Sequence, residues 1–273
     1  MRCLTVLTGV LVLAGIGSVR AETPITPGER AVVVQMTRLR GVRLWWNEDN
    51  RVVGAAIKGV NAADDTVRLV SQLPMLRSLV LVAVADHRLT DKSLDTLRDM
   101  SRLELLYLVG TDVTDRGAKN LLALKNLRAL VLKGKFSDST LAVVAQLPNL
   151  EFLDLTQTQI SDEGLAALSK LPKLQTLILN GTSITSQGLA PIAHIKTLRW
   201  LYLGDTPIDD AAVVHLRQLS NLDELFVRGT KITRAGIQTL QAAMDSGCAI
   251  FHNSGTTRGT RAEPPGLAVT ALR

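Results

Sequence analysis

One phrase returns down this chain at a nearly constant distance, and a chain built that way can only fold as a stack of like units. Leu150-Glu-Phe-Leu-Asp-Leu-Thr-Gln-Thr-Gln-Ile-Ser-Asp-Glu-Gly-Leu-Ala-Ala-Leu-Ser-Lys-Leu-Pro-Lys begins again at Leu174 and at Leu198, a period of 24 residues. Aligned on the first apolar residue, units open at Val52, Leu76, Leu103, Leu127, Leu150, Leu174, Leu198 and Leu222, with spacings of 24, 27, 24, 23, 24, 24 and 24. The long unit carries its extra residues around Val82 to His87, and the short one lacks a residue near Lys135-Phe136.

The apolar spacing changes within each unit. Leu153-Asp154-Leu155 alternates, as a strand with one buried face does, whereas Leu165, Leu168 and Leu171 recur every three residues, as one face of a helix does. Thr90-Asp91, Thr114-Asp115 and Ser161-Asp162 stand at the start of the helical part, where side-chain oxygens accept the orphan amide bonds of a first turn. Each unit therefore reads as strand, turn, short helix, turn. None can bury its own apolar side, so neighbours must stack. The leucines are core. Thr111, Thr158, Thr182, Thr206 and Thr230, at the ninth position, are read as satisfying backbone groups at the turn.

The pattern L-x-x-L-x-L-x-x-T-x-I-T-D-x-G-L-x-x-L-x-x-L resembles the leucine-rich repeat, and more narrowly the 24-residue T-D-x-G-L variety of bacterial exported proteins. The resemblance covers roughly Val52 to Ile250. It implies an α/β solenoid, a horseshoe with a parallel concave sheet and short helices on the convex side. It implies no particular ligand, because the family is a scaffold with many partners.

Residues 1–21 read as a signal peptide: Arg2 is the charged start, Leu4 to Ile16 the apolar run, and Val19-Arg20-Ala21 offers small residues for cleavage after Ala21. The run is short for a bilayer span, so an uncleaved anchor is the lesser alternative and no stable span is expected after cleavage. A secreted or periplasmic location follows. Residues 22–51 form a linker and N-terminal cap: Glu29 to Leu39 is helical, with Val32, Met36 and Leu39 on one face and Gly41 as a stop, and Val42 to Trp46 is a strand. Of Trp45 and Trp46, one should pack inward and the other should be wetter. The solenoid of about eight units spans 52–251, its end at Cys248-Ala249-Ile250 resembling the family's closing half-repeat. Residues 252–273 lose the pattern and read as a disordered tail.

The formal charge is +6, and removing Arg2 and Arg20 leaves +4. Lys and Arg do not cluster as nucleic-acid binding requires, so nucleic acid is excluded as a partner. Loss of Cys3 with the signal leaves Cys248 alone, read as a buried inert thiol, with an intermolecular disulfide as the alternative. His87, His194, His215 and His252 fall in different units with no metal-ligand spacing. Asp64-Asp65 and Asp209-Asp210 complement helix dipoles. Gly164, Gly188 and Gly236 are repeat positions, not a phosphate cradle. No nucleophile elbow, Walker loop or dinucleotide fingerprint is present. The expectation is no enzyme, no cofactor and no metal.

Strand alternation points positions 3, 5 and 7 of each unit away from the core, onto the concave face. That face carries Leu105, Tyr107, Phe152, Ile178, Trp200, Tyr202 and Phe226. Basic residues lie beside it, with Arg77, Arg128 and Arg199 at position 2 and Lys58, Lys133 and Arg228 at position 7. Exposed apolar patches and aromatic anchors mark binding surfaces. The expected partner is a protein or peptide with apolar and acidic groups, or a glycan, with Leu105, Tyr107, Phe152, Ile178, Trp200, Tyr202, Phe226, Arg199 and Arg228 as contact residues and the Trp200-Tyr202-Phe226 corner foremost. Strand propensity alone could also fill the face with such residues. The alternatives are a structural or self-assembling cell-envelope component and a substrate adaptor like those of ubiquitin ligases. The leader and the absence of F-box-like helices count against the adaptor. Oligomeric state is not readable.

Overall fold

The computed structural model describes residues 25–83, 89–244 and 247–257. The leader expected at 1–21, the inserted stretch 84–88 and the tail beyond 257 lie outside the described residues. Eleven strands form one sheet in strict chain order: β1 (Val42–Trp46), β2 (Val52–Lys58), β3 (Ser78–Val82), β4 (Leu105–Thr111), β5 (Ala129–Gly134), β6 (Phe152–Asp154), β7 (Thr176–Ile178), β8 (Trp200–Tyr202), β9 (Glu224–Phe226), β10 (Ala249–His252) and β11 (Gly255–Thr257). Strands β2 to β10 are parallel, and the outer pairs β1·β2 and β10·β11 are antiparallel.

Register converts the sequence repeat into a ladder. Ala55, Leu79, Leu106, Leu130, Leu153, Leu177, Leu201, Leu225 and Ile250 are successive partners across the sheet, all buried. They meet helix-layer residues such as Leu94, Leu121, Leu141, Leu165, Leu189, Leu216 and Leu240 in one continuous core. Truncating one such leucine to alanine costs about 2–5 kcal/mol, since a stacked core collapses poorly around a hole. The fold is a leucine-rich-repeat solenoid, α/β with a long, mostly parallel sheet.

The helix layer comprises α1 (Pro27–Thr37), α2 (Asp64–Val70), α3 (Asp91–Leu97), α4 (Asp115–Ala118), α5 (Asp138–Val144), α6 (Asp162–Leu168), α7 (Val213–Leu216) and α8 (Arg234–Ala243). The unit opened by Leu174 has two 3₁₀ turns instead, Gln187–Leu189 and Ile192–His194. Pro191 between them lacks the amide that would continue an α-helix. Before the first unit, α1 opens with a reciprocal capping box between Thr26 and Glu29, and the Glu29 carboxylate also meets Arg51 at 2.5 Å in a buried ion pair.

The helix starts hold the units together in a way the dipole argument does not anticipate. Asp138 accepts the Ser161 amide at 2.9 Å and the Ser161 hydroxyl at 2.6 Å. The same double acceptance joins Asp64 to Thr90, Asp91 to Thr114, Asp115 to Ser137, Asp162 to Thr185 and Asp210 to Thr233. Each aspartate also lies against the residue two places after the next unit's own helix-start position. Where that residue is Gly117, Gly164, Gly188 or Gly236, an added Cβ would overlap the carboxylate of Asp91, Asp138, Asp162 or Asp210. Where it is Ser93 or Thr140, the hydroxyl donates to Asp64 or Asp115 at 2.5 Å. One step is reversed: Ser186 stands at the aspartate position and Asp209 at the hydroxyl position, and the two bond each other at 2.6 Å. Ala212 is then tolerated where its neighbours need glycine or a hydroxyl. Thr90, Thr114 and Thr233 cap their helices as their positions imply, but the Ser161 side chain makes no cap bond.

Two readings need correction. The tail assigned to 252–273 begins too early: His252 ends β10, and Asn253-Ser254 turns the chain into β11, paired antiparallel at His252↔Gly255. An Asn-Ser-Gly stretch after an apolar strand is a hairpin signal that loss of the 24-residue pattern masks. Trp46 is the wetter tryptophan, but Trp45 packs on the outer side of the sheet over Gly54, not into the main core.

Candidate functional site: the outer face of the sheet

Positions 3 and 5 of successive strands face away from the helices, and register sets them side by side. Strand neighbours lie about 4.8 Å apart, so large side chains in one row lean on each other. Ala56, Val80, Leu105, Tyr107, Ala129, Val131, Phe152 and Ile178 form a second apolar cluster there, with Trp45, Val82, Val109 and Tyr202 against its edges. This corrects the picture of a fully exposed patch. Leu105, Tyr107, Phe152, Ile178 and Trp200 are buried, Trp200 being only 6% exposed. Alternation tells which side a residue takes but not how its row mates cover it.

The open part of the row is at its C-terminal end. Tyr202, Phe226 and Phe251 sit at position 5 of β8, β9 and β10, all partly exposed. Their rings are 6.1 Å apart from one to the next and tilted by 32° and 31°. A side chain at Gly204 would strike the Phe226 ring, so the missing Cβ gives that ring its place. Arg228 lies 5.7 Å over Phe226 and reaches Thr256. Arg199 lies 5.9 Å over Trp200. The Tyr202 hydroxyl donates to Glu224 at 2.8 Å. Burial first, and then the negative Glu224 carboxylate, push the Tyr202 pKa up, so it stays a neutral donor. Sequence reasoning missed Phe251 and Glu224. Phe251 follows Phe226 by 25 residues and was legible as the next member of its column.

The basic rim is also corrected. Arg77, Arg128 and Arg199 each pair with the position-2 acid of the following unit: Glu104 at 3.2 Å, Glu151 at 2.9 Å and Asp223 at 2.6 Å. Lys133 pairs with Asp154 at 3.2 Å. Asp154 is the one charge in the position-5 row, 1% exposed, and also accepts the Thr156 amide at 2.8 Å and its hydroxyl. Tyr107, nearby in that row, has its pKa raised by burial and then by Asp154. Arg77, Arg128, Arg199 and Lys133 are thus matched within the face, while Arg228 lies over Phe226, so its preference for an acidic partner is weaker than the basic residues alone imply.

Among the described residues no three His, Cys, Asp or Glu side chains gather as a metal site, and no helix is long and apolar enough to cross a membrane. The ninth-position threonines behave as read: Thr158, Thr182, Thr206 and Thr230 donate to the carbonyl three residues back at 2.6–2.7 Å. Thr111 differs, its hydroxyl buried without a partner, because β4 continues through it and no turn brings that carbonyl round. Cys248 is buried.

A family model described as a leucine-rich repeat matches residues 146–169, the span of a single unit. No curated protein matches the chain. Among solved structures the chain is similar to internalin C2 from Listeria monocytogenes, at 18% identity and a TM-score of 0.56, over 87% of this chain and 100% of that one. It is similar as well to the Arabidopsis receptor kinase HAESA in complex with the peptide hormone IDA and the co-receptor SERK1, at 16% identity and a TM-score of 0.56, over 83% of this chain but 41% of the receptor chain. A second HAESA ectodomain structure, with an N-terminally extended IDA peptide, aligns at 16% identity and a TM-score of 0.55, over 82% of this chain and 40% of that one. At these identities the likeness is one of fold.

Proposed function

We propose that this leucine-rich-repeat chain is an exported, non-catalytic binding module that takes a protein or peptide on the outer face of its sheet. The observation that carries the reading is the half-exposed row Tyr202–Phe226–Phe251, continuous with the apolar cluster that covers the rest of the face. Rigid aromatic rings on a packed base are the side chains that dominate binding energy at interfaces, and solenoids offer such faces as extended platforms. HAESA, of similar fold, holds a peptide hormone. The leader-like segment at 1–21 supports export.

Because Trp200 is buried, the informative variant is Tyr202→Ala with Phe226→Ala. Wild type and variant, matched for thermal unfolding, are used as bait in envelope and culture-medium extracts. A partner captured by wild type and lost by the variant supports the reading, and identical captures refute it. The amino terminus of the exported protein should be Glu22.

A further inference from the structure

We propose, on the reading that the outer face binds a protein or peptide, that β9 selects the charge pattern of that partner. It takes a segment that brings an apolar side chain to Phe226, a carboxylate to Arg228 and a cationic side chain to Glu224. The outward positions 3, 5 and 7 of the parallel strands carry few charges: Lys58, Lys133, Asp154, Glu224 and Arg228. Lys133 and Asp154 neutralise each other at 3.2 Å. Lys58 is half-buried at the far end of the sheet. Glu224 and Arg228 remain, one at the start of β9 and the other just past its end. Leu225 and Val227 are buried in the main core, so alternation sets Glu224, Phe226 and Arg228 in one line on the outer face. Four residues of extended chain hold the two charges about 13 Å apart, with the ring between them.

Among the described residues neither charge has a counter-ion. Glu224 accepts the Tyr202 hydroxyl at 2.8 Å, a neutral donor that leaves the carboxylate its charge. Arg228 is exposed, and it is placed by the Phe226 ring at 5.7 Å and by the Thr256 hydroxyl oxygen at 3.4 Å, neither of them an anion. Asp205, on the turn beside it, lies against Gly229 instead.

The rings Tyr202, Phe226 and Phe251 supply apolar contact to any ligand, and the two charges decide which ligand profits from it. A guanidinium already ordered by a ring and a hydroxyl loses little freedom when it meets a carboxylate. A segment of uniform charge gains at one end of the line and is repelled at the other. A neutral apolar segment removes water from both charges and pairs neither. The face therefore discriminates against acidic, basic and purely apolar partners alike, in favour of one with opposite charges on either side of an apolar residue.

The test uses acetylated and amidated pentapeptides, Glu-Gly-Leu-Gly-Lys, Glu-Gly-Leu-Gly-Glu, Lys-Gly-Leu-Gly-Lys and Gln-Gly-Leu-Gly-Gln, whose alternate residues match the spacing of the line. They are titrated at millimolar concentration into the exported chain, and NMR follows the amide signals of residues 224–228 and 249–252. Wild type should prefer the mixed-charge peptide to each of the others by about threefold or more, the scale of an exposed ion pair. Arg228→Glu should move the preference to the Lys/Lys peptide, and Glu224→Lys to the Glu/Glu peptide, reversals that loss of structure cannot produce. Glu263→Gln, which removes an acid of the segment after β11, should leave the wild-type preference unchanged. Tyr202→Ala with Phe226→Ala should abolish binding of all the peptides. Equal binding of the peptides, a preference that does not reverse, no shift with any peptide, or binding seen only in Glu263→Gln would each overturn the proposal. Equal binding that the aromatic variant still loses would leave the face a binding surface without charge selection. Binding indifferent to the aromatic variant would remove that reading as well.

Discussion

Asp138 of one unit fills the space that a side chain at position 164 of the next would need: a Cβ built on Gly164 overlaps the Asp138 carboxylate, which is held by Ser161. The glycine of the T-D-x-G phrase is thus the complement of the preceding aspartate, and the two should not vary independently. Gly164→Ala is expected to cost about 1–3 kcal/mol through overpacking, and Asp138→Ala about 2–4 kcal/mol through two lost charge-assisted bonds. The double variant should cost at least about 1 kcal/mol less than the sum. Urea midpoints for the four proteins measure the coupling, and additive losses would show that the residues do not sense each other.

The aspartate seam also sets a pH dependence. Burial acts to raise the pKa of Asp64 and of Asp115, but hydrogen bonds from Ser93 and Thr90, and from Ser137 and Thr140, outweigh it and hold both below the usual value. A carboxylate whose folded pKa is depressed stabilises the fold above its unfolded pKa, near 3.8 for aspartate, and that stability is lost as pH falls through the folded value. Urea midpoints should therefore stay level with respect to these groups from pH 7 down to about 5 and fall steeply below about 4. Asp115→Asn should flatten part of that fall. A variant with the wild-type slope would mean that Asp115 does not carry it.

Two threonines at the same repeat position should respond oppositely to removal of the hydroxyl. Thr158 donates to the Leu155 carbonyl at 2.7 Å, so Thr158→Val should cost about 1–2 kcal/mol. The Thr111 hydroxyl is buried with no partner, so Thr111→Val should be neutral or stabilising by up to about 1 kcal/mol. Thermal unfolding of the pair decides, and equal destabilisation would contradict the assignment.

Ion pairs should separate by burial. Arg51 and Glu29 have side chains exposed by 7% and 8%, so Arg51→Ala strands a buried carboxylate and should cost about 3–5 kcal/mol. Arg128 and Glu151 are exposed by 41% and 29%, and Arg128→Ala should cost under about 1 kcal/mol and less in high salt. A larger loss at Arg128 than at Arg51 would reverse this ranking.

The architecture was readable because a 24-residue period and an internal change of spacing leave few folds open. The side of the sheet each residue takes was readable as well. What alternation does not carry is lateral contact: Leu105, Tyr107 and Phe152 face outward as expected, yet they bury one another, because coverage depends on neighbours a whole unit away. The pairing of Arg77 with Glu104 and of Arg128 with Glu151 lay in the sequence as an alternating column at position 2, visible only when units are read across one another. The same holds for the column Ser93, Gly117, Thr140, Gly164, Gly188, which looks arbitrary until the preceding aspartate is placed beside it.

The reversed pair Ser186–Asp209 has a bearing on how such an array can lengthen or shorten. Every unit presents one half of a lock to the unit before it and another half to the unit after. The unit opened by Leu198 brings Asp209 and Ala212, which fit only a serine in front of them. Set directly behind Asp162, it would oppose two carboxylates and force a methyl group into an occupied space. The units opened by Leu174 and Leu198 are therefore matched to each other at this seam. Unequal crossing-over can duplicate or delete them together without injury, but a recombination joint that parts them yields a chain whose stack is broken at the seam.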